Sequence, residues 1–212
     1  MPRVTFLVPR GSEAAAVRRA APSARVVALP AGAAAAAALP PFEDRETVVV
    51  LGLCGALRRL ETGDVAIYAR LADDARSHEL DRSLVDALSA ALPGALVVNA
   101  CTAERVVTTV AERTAIARRF NADVVDMEGT HLAAALGARG VRFAMMRVVS
   151  DDASRDLPPI GGAIDAQGRV RPPAIALAFA RAPRAALAFV RDVRRALAAL
   201  TDTTRALDGL DV

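Results

Sequence analysis

The chain has 212 residues, is 53% hydrophobic and 3% aromatic, and carries 27 arginines, no lysine and 24 acidic residues for a formal charge of +3. An apolar chain with nearly balanced charge excludes disorder, and only two cysteines, Cys54 and Cys101, exclude a disulfide-built miniprotein. Scattered arginines with few aromatic rings argue against a nucleic-acid partner, and no stretch of about 20 apolar residues is free of charge, so no membrane span is expected. The first twenty residues hold one short apolar run followed at once by charge, unlike a secretory signal, so a reduced cytoplasmic setting is expected.

Residues 4–8 are a β-rich apolar run that Pro9, Arg10, Gly11 and Ser12 break. Ser12 is expected to cap a helix over 13–19. A second apolar run covers 24–29. The alanine-rich stretch 31–39 favours helix without an amphipathic pattern, and Pro40 and Pro41 end it, so a short surface helix without chemistry is expected. The β-branched run 47–53 predicts a strand buried on both faces. It leads into Gly52-Leu53-Cys54-Gly55-Ala56, where two glycines three apart either expose backbone amides to a ligand or make a tight strand-to-helix turn. The third glycine of a dinucleotide fingerprint and the lysine of a phosphate loop are both missing.

After a turn at 62–64 comes a strand over 65–69. Leu80, Leu84, Leu88 and Leu92 predict a helix over 78–92 that Pro93 and Gly94 stop. A strand is expected at 95–99, a helix at 109–120, a strand at 123–127, a helix at 129–138 closed by Gly140, and a long strand at 141–149. A Pro- and Gly-rich loop over 156–171 precedes helices at 174–180 and 183–200. Interleaved strands and helices predict α/β layers around a central sheet. With no repeat and no boundary, the whole chain, 1–212, is expected to be one domain.

Polar clusters sit where the buried strands end, the usual place for ligands in α/β sheets. Asp126-Met127-Glu128-Gly129 places two carboxylates on one strand face, where they need donors or a ligand. Alternatively Asp126 caps the next helix and Glu128 lies in its first turn. Arg147-Val148-Val149-Ser150-Asp151-Asp152 ends the longest strand, and a partly dry carboxylic acid there suits a general acid. The alternative is a loop tied by local Ser and Asp turn bonds. Glu128 and His131 have the spacing of a di-iron pair but lack the second copy and the bundle it needs, so no metal is expected. Neither Cys54 nor Cys101 neighbours a histidine, so small buried cores are the expected use of both.

Together these clusters resemble the purine nucleoside phosphorylase and nucleosidase superfamily, which includes the methylthioadenosine/S-adenosylhomocysteine nucleosidases. The resemblance rests on an early strand followed by Glu13, the Gly-x-x-Gly turn at 52–55, Asp126-Met127-Glu128-Gly129, and Arg147 through Asp151 about 20 residues later; it covers most of residues 1–152. The tail, through Arg155-Asp156-Leu157-Pro158-Pro159 and Asp165-Ala166-Gln167-Gly168-Arg169, is similar to hopanoid-associated nucleoside phosphorylases, which release adenine from adenosylhopane. The resemblance implies a three-layer α/β/α sandwich with a mixed, partly closed sheet. It implies cleavage of the N-glycosidic bond of a purine nucleoside, adenine in particular, with no cofactor and with a homo-oligomer, dimer or larger.

By the same resemblance Glu128 grips the ribose hydroxyls and Met127 lies against the sugar. Asp151 donates to the purine ring, held in place by Ser150 and Arg147. Val106 and Val107 line the base pocket, Cys54 and Gly55 face the sugar or its attacking group, and Glu13 activates water. Phosphorylases often carry an arginine before the glycine turn and Ser or Thr inside it; here those positions hold Val50 and Leu53. Glu13 therefore favours water as nucleophile, while Arg10 leaves phosphate open. A nucleoside-binding module without turnover is the alternative.

Overall fold

A computed structural model describes residues 4–43, 46–162 and 171–209. The motif at 165–169 lies outside the described residues, as does most of the expected 156–171 loop beyond 162. The chain begins with β1 (Val4–Pro9), α1 (Ser12–Ala20), β2 (Arg25–Leu29) and α2 (Ala34–Ala37). It continues with β3 (Thr47–Val50), β4 (Leu53–Ala56), β5 (Val65–Ala72), β6 (Ser77–Glu79), α3 (Arg82–Ala91) and β7 (Leu96–Thr102). Then follow α4 (Val110–Phe120), β8 (Val124–Asp126), α5 (Gly129–Ala138), β9 (Arg142–Asp151), α6 (Pro172–Arg181) and α7 (Pro183–Leu207).

The strands form one mixed sheet in the order β2-β1-β3-β9-β4-β8-β7-β5-β6, with an extra β9–β5 pairing. That pairing closes β4, β8, β7, β5 and β9 into a ring, while β1, β2 and β3 extend from it as a parallel wing. This is the expected three-layer α/β/α sandwich with a partly closed sheet. β9 is the shared member: β3 pairs with its first half, β4 with its second, and β5 runs antiparallel on its other edge. Residues 144–146 and 148–149 of β9 are at most 1% exposed, as continuous apolar burial on both faces requires. Helices α1 and α7 pack together, and α7 lies against β9; α3 packs on β5, and α5 on β9 and β7.

Four local expectations change. The helix of α1 begins at Ser12, not after it: Gly11 at φ 97 makes the turn, and no side chain caps the start. The segment 52–56 is not a turn into a helix. After Gly52 the chain resumes the register of β3 against β9, and β4 joins β9 to β8 in the closed ring. The expected helix over 78–92 is a strand and a shorter helix. Asp73 Oδ1 accepts from Ala75 N and Arg76 N at 2.8 and 2.7 Å, which folds β6 back onto β5. Asp81 then caps α3, accepting from Ser83 N at 2.9 Å and Leu84 N at 3.3 Å. Finally, the alanine stretch gives only the four residues of α2, and Ala35 is fully buried against the core.

Asp81→Ala is expected to lower unfolding free energy by about 1 kcal/mol through loss of the α3 cap, read from urea denaturation midpoints.

Candidate active site

The closed ring leaves a cavity of ≈ 340 Å³ at the ends of β1, β4, β8 and β9. Its wall includes Glu13, Cys54, Gly55, Val106, Val107, Met127, Glu128, Arg147, Ser150 and Asp151, all singled out from sequence. Arg10 is the exception. Its backbone N–H bonds Leu29 O at 2.8 Å, and its side chain is exposed on the turn, outside this wall.

Arg147 is 1% exposed and organises one end. Its Nη2 donates to Glu128 Oε2 at 3.1 Å and lies 3.7 Å from Asp126 Oδ2; its Nη1 is 3.5 Å from Leu53 O. Glu128 also accepts from Gly32 N at 2.8 Å, so the alanine-rich segment does reach the site, contrary to expectation. Burial pushes the Glu128 carboxyl up, against the pull of Arg147. Glu128 occupies the N-cap position of α5 without capping it. Asp126 takes that task, accepting from Gly129 N at 3.1 Å and from Thr102 Oγ1 at 2.8 Å. The structural alternative therefore holds for Asp126 and fails for Glu128.

Glu13, from the first turn of α1, accepts from Leu53 N at 2.8 Å. Burial raises its carboxyl to about 7, opposed by the nearby Arg147 charge. Gly52, at φ +151, makes this packing possible: a Cβ there would sit 2.5 Å from Arg147 Nη1 and 2.9 Å from Glu13 Oε1.

Asp151 is held at the other end, but not by Arg147. Arg113 is its cation, with Nη2 at 2.5 Å from Asp151 Oδ2, and Ser150 Oγ donates to Oδ1 at 2.5 Å. Arg113 is 1% exposed and fixes its own position on the carbonyls of Asp152 (2.6 Å) and Ala56 (3.3 Å). Burial raises the Asp151 carboxyl, and Arg113 opposes the rise. A register shift opposite Cys54 and Gly55 pairs Val149 and Asp151 with consecutive residues of β4, and this bulge lets adjacent Ser150 and Asp151 both face the cavity. Ser150 Oγ also reaches Cys54 O at 3.1 Å.

Sequence reading missed Arg113. Its signal was an arginine inside the apolar stripe Val110, Arg113, Ala117, Phe120 of a helix, which demands a buried carboxylate partner. It also missed the apolar wall of Leu157, Ile160, Ile175, Phe189 and Val193, since nothing local ties those residues to the strand ends. Burial pushes the Cys54 thiol far up, which disfavours the thiolate. Among the described residues no three His, Cys, Asp or Glu side chains gather as a metal site.

A family model described as the phosphorylase superfamily matches residues 28–159. No curated protein matches the sequence. Among solved structures, the chain is similar to the methylthioadenosine/S-adenosylhomocysteine nucleosidase of Neisseria meningitidis in complex with methylthio-immucillin-A (17% identity, 99% of this chain and 100% of that one, TM-score 0.71). It is similar to the corresponding Streptococcus pneumoniae nucleosidase in complex with 8-aminoadenine (17% identity, 97% and 100%, TM-score 0.67). It is also similar to a futalosine hydrolase mutant of Helicobacter pylori (12% identity, 96% and 98%, TM-score 0.67).

The Glu13 proton has a consequence for stability. With a folded value near 7 against an ordinary 4.5, the folded state holds a proton that the unfolded chain has lost, so stability falls as pH rises between those values. Glu13→Gln removes that penalty: the variant is expected to gain up to about 3 kcal/mol over the parent above pH 7 and nothing below pH 4, measured by denaturation across pH.

Proposed function

The chain belongs to the phosphorylase superfamily, and from that premise we propose that it hydrolyses the N-glycosidic bond of an adenine nucleoside. The observation that carries this reading is that Glu13, Glu128 and Asp151, from distant parts of the chain, line one cavity, each with its carboxyl raised by burial. The adenine analogues bound by the two similar nucleosidases support the choice of base.

Breaking this bond leaves the sugar oxocarbenium-like and puts negative charge on the purine. Asp151, with its raised proton affinity, donates to the purine ring as the bond lengthens. Arg113 and Ser150 fix its orientation, and Val106 and Val107 line the base side of the cavity. Glu128, anchored by Arg147 and Gly32 N, accepts from the ribose hydroxyls and holds the ring near its reactive shape. Met127 lies against the sugar, near Cys54 and Gly55. Glu13 takes the proton of the attacking water; a carboxylate near 7 is matched to that task at neutral pH.

Water is favoured over phosphate by charge. A phosphate dianion needs free cations or converging donors. Arg147 is committed to Glu128, Arg113 to Asp151, and Arg105 to Glu112, while Arg10 lies outside the cavity wall. A buried Glu13 beside the sugar would also repel the dianion.

Adenine release from adenosine or methylthioadenosine is expected without phosphate; release only with phosphate overturns hydrolysis, and binding without release favours a nucleoside-binding module. Asp151→Asn is expected to lower turnover by about 100-fold or more with the fold retained by circular dichroism, and an active variant displaces the acid from Asp151. Glu128→Gln is expected to weaken nucleoside affinity in calorimetry about tenfold, as one charged hydrogen-bond acceptor becomes neutral.

A further inference from the structure

The outer faces of α6 and α7 take no part in the proposed chemistry. Leu187 is 74% exposed and Leu177 51% exposed, the first and third most exposed of the large apolar side chains among the described residues. Leu187 shares one stripe of α7 with Arg184, Arg191 and Arg194, all exposed at intervals of three and four residues. Leu177 lies on the exposed stripe of α6 with Pro173 and Ala180, and Arg181 stands exposed where the two helices meet. From residue 171 to 191 the chain has arginines and no Asp or Glu. The next acid, Asp192, is buried and neutralised by Arg155 and Arg191. Arg181, Arg184 and Arg194 have no acidic partner among the described residues. The positive field continues into a neighbouring cleft, where Arg59 and Arg195 likewise lack acidic partners and face Glu61, Asp152 and the neutralised Asp192.

We propose that this α6–α7 face docks on an anionic lipid bilayer, with Leu177 and Leu187 entering the headgroup boundary and the arginines pairing with lipid phosphates. The chemistry selects this occupant. Exposed leucines ringed by cations are the pattern of an interfacial helix, whose binding sums apolar burial and attraction to anionic lipid. A second copy placed symmetrically on the face would set arginine against arginine, with no acid on either side to offset the repulsion. A nucleic acid would use the arginines but leave the leucines in water. The inner sides of the same helices supply Ile175, Phe189 and Val193 to the cavity wall, so docking would bring the roof of the site to the membrane surface. The proposal stands apart from the proposed reaction, because its test reads binding alone.

The full chain is to be sedimented with phosphatidylcholine vesicles that contain or lack phosphatidylglycerol. Binding is expected only with the anionic lipid, and is expected to be suppressed by salt at about 0.5 M, where the Debye length is only a few ångströms. Arg184→Glu and the paired Leu177→Ser, Leu187→Ser variant are each expected to weaken it roughly tenfold or more. Arg82→Glu, a charge reversal at an exposed arginine of α3, is expected to leave it unchanged. No sedimentation with anionic vesicles, equal binding to both vesicle types, or full binding by the face variants overturns the proposal. So does a drop in oligomer mass for the leucine variant, by light scattering, without vesicle binding by the parent, which makes a second copy the occupant. Binding of duplex DNA without binding of vesicles overturns it too.

Discussion

A guanidinium buried on the central strand sets the arrangement around it. Arg147 on β9 is 1% exposed, bonds Glu128, lies near Asp126, and contributes the main attraction that offsets burial of Glu13. Removing that cation would leave several acids without compensation, a far larger cost than the pair itself returns in stability. Its proton is held more tightly than usual, because the surrounding carboxylates outweigh its own desolvation. The glycine at 52 follows from the same constraint. Only a residue without a side chain lets β3 pass Arg147 and Glu13 and continue as β4.

A second buried cation, Arg113, does for Asp151 what Arg147 does for Glu128. The two arginines come from different elements, α4 and β9: Arg113 pairs with Asp151, and Arg147 serves the cluster of Glu128, Asp126 and Glu13. Burial raises all three acids; Arg147 opposes the rise at Glu13 and Glu128, and Arg113 opposes it at Asp151, so Asp151 has an electrostatic environment of its own. For the proposed hydrolysis this sets the acid that gives a proton, Asp151, apart from the Glu13 and Glu128 pair that accepts one and holds the sugar.

Closure of the sheet brings these side chains to one cavity. β9 pairs with three other strands and carries Arg147, Ser150 and Asp151 within five residues. The bulge opposite Cys54 and Gly55 turns two consecutive side chains to one cavity, which strict alternation would forbid. Helices α6 and α7 then cover the apolar side through Ile175, Phe189 and Val193 while leaving their arginine and leucine stripes outside.

Much was legible in the chain itself. The apolar runs marked β1, β3 and β9, and acids at the ends of buried segments marked Asp126, Glu128 and Asp151 as residues in need of partners. The resemblance supplied the sandwich, the closed sheet and Glu13. The partners are not legible: the resemblance pairs Arg147 with Asp151 where the structure has Arg113, and nothing in the alanine-rich composition shows that Gly32 N bonds Glu128. Periodicity also extends the helix over 78–81, where the structure has β6 and the cap of α3, and it leaves 52–56 open between two readings of which the turn into a helix fails. The physical reason is common to these errors. Apolar periodicity and turn chemistry are local, so neighbouring residues reveal them. Which cation meets which carboxylate, and which strand completes a ring, depends on contacts between residues 19 to 96 positions apart, and only the folded chain brings those together.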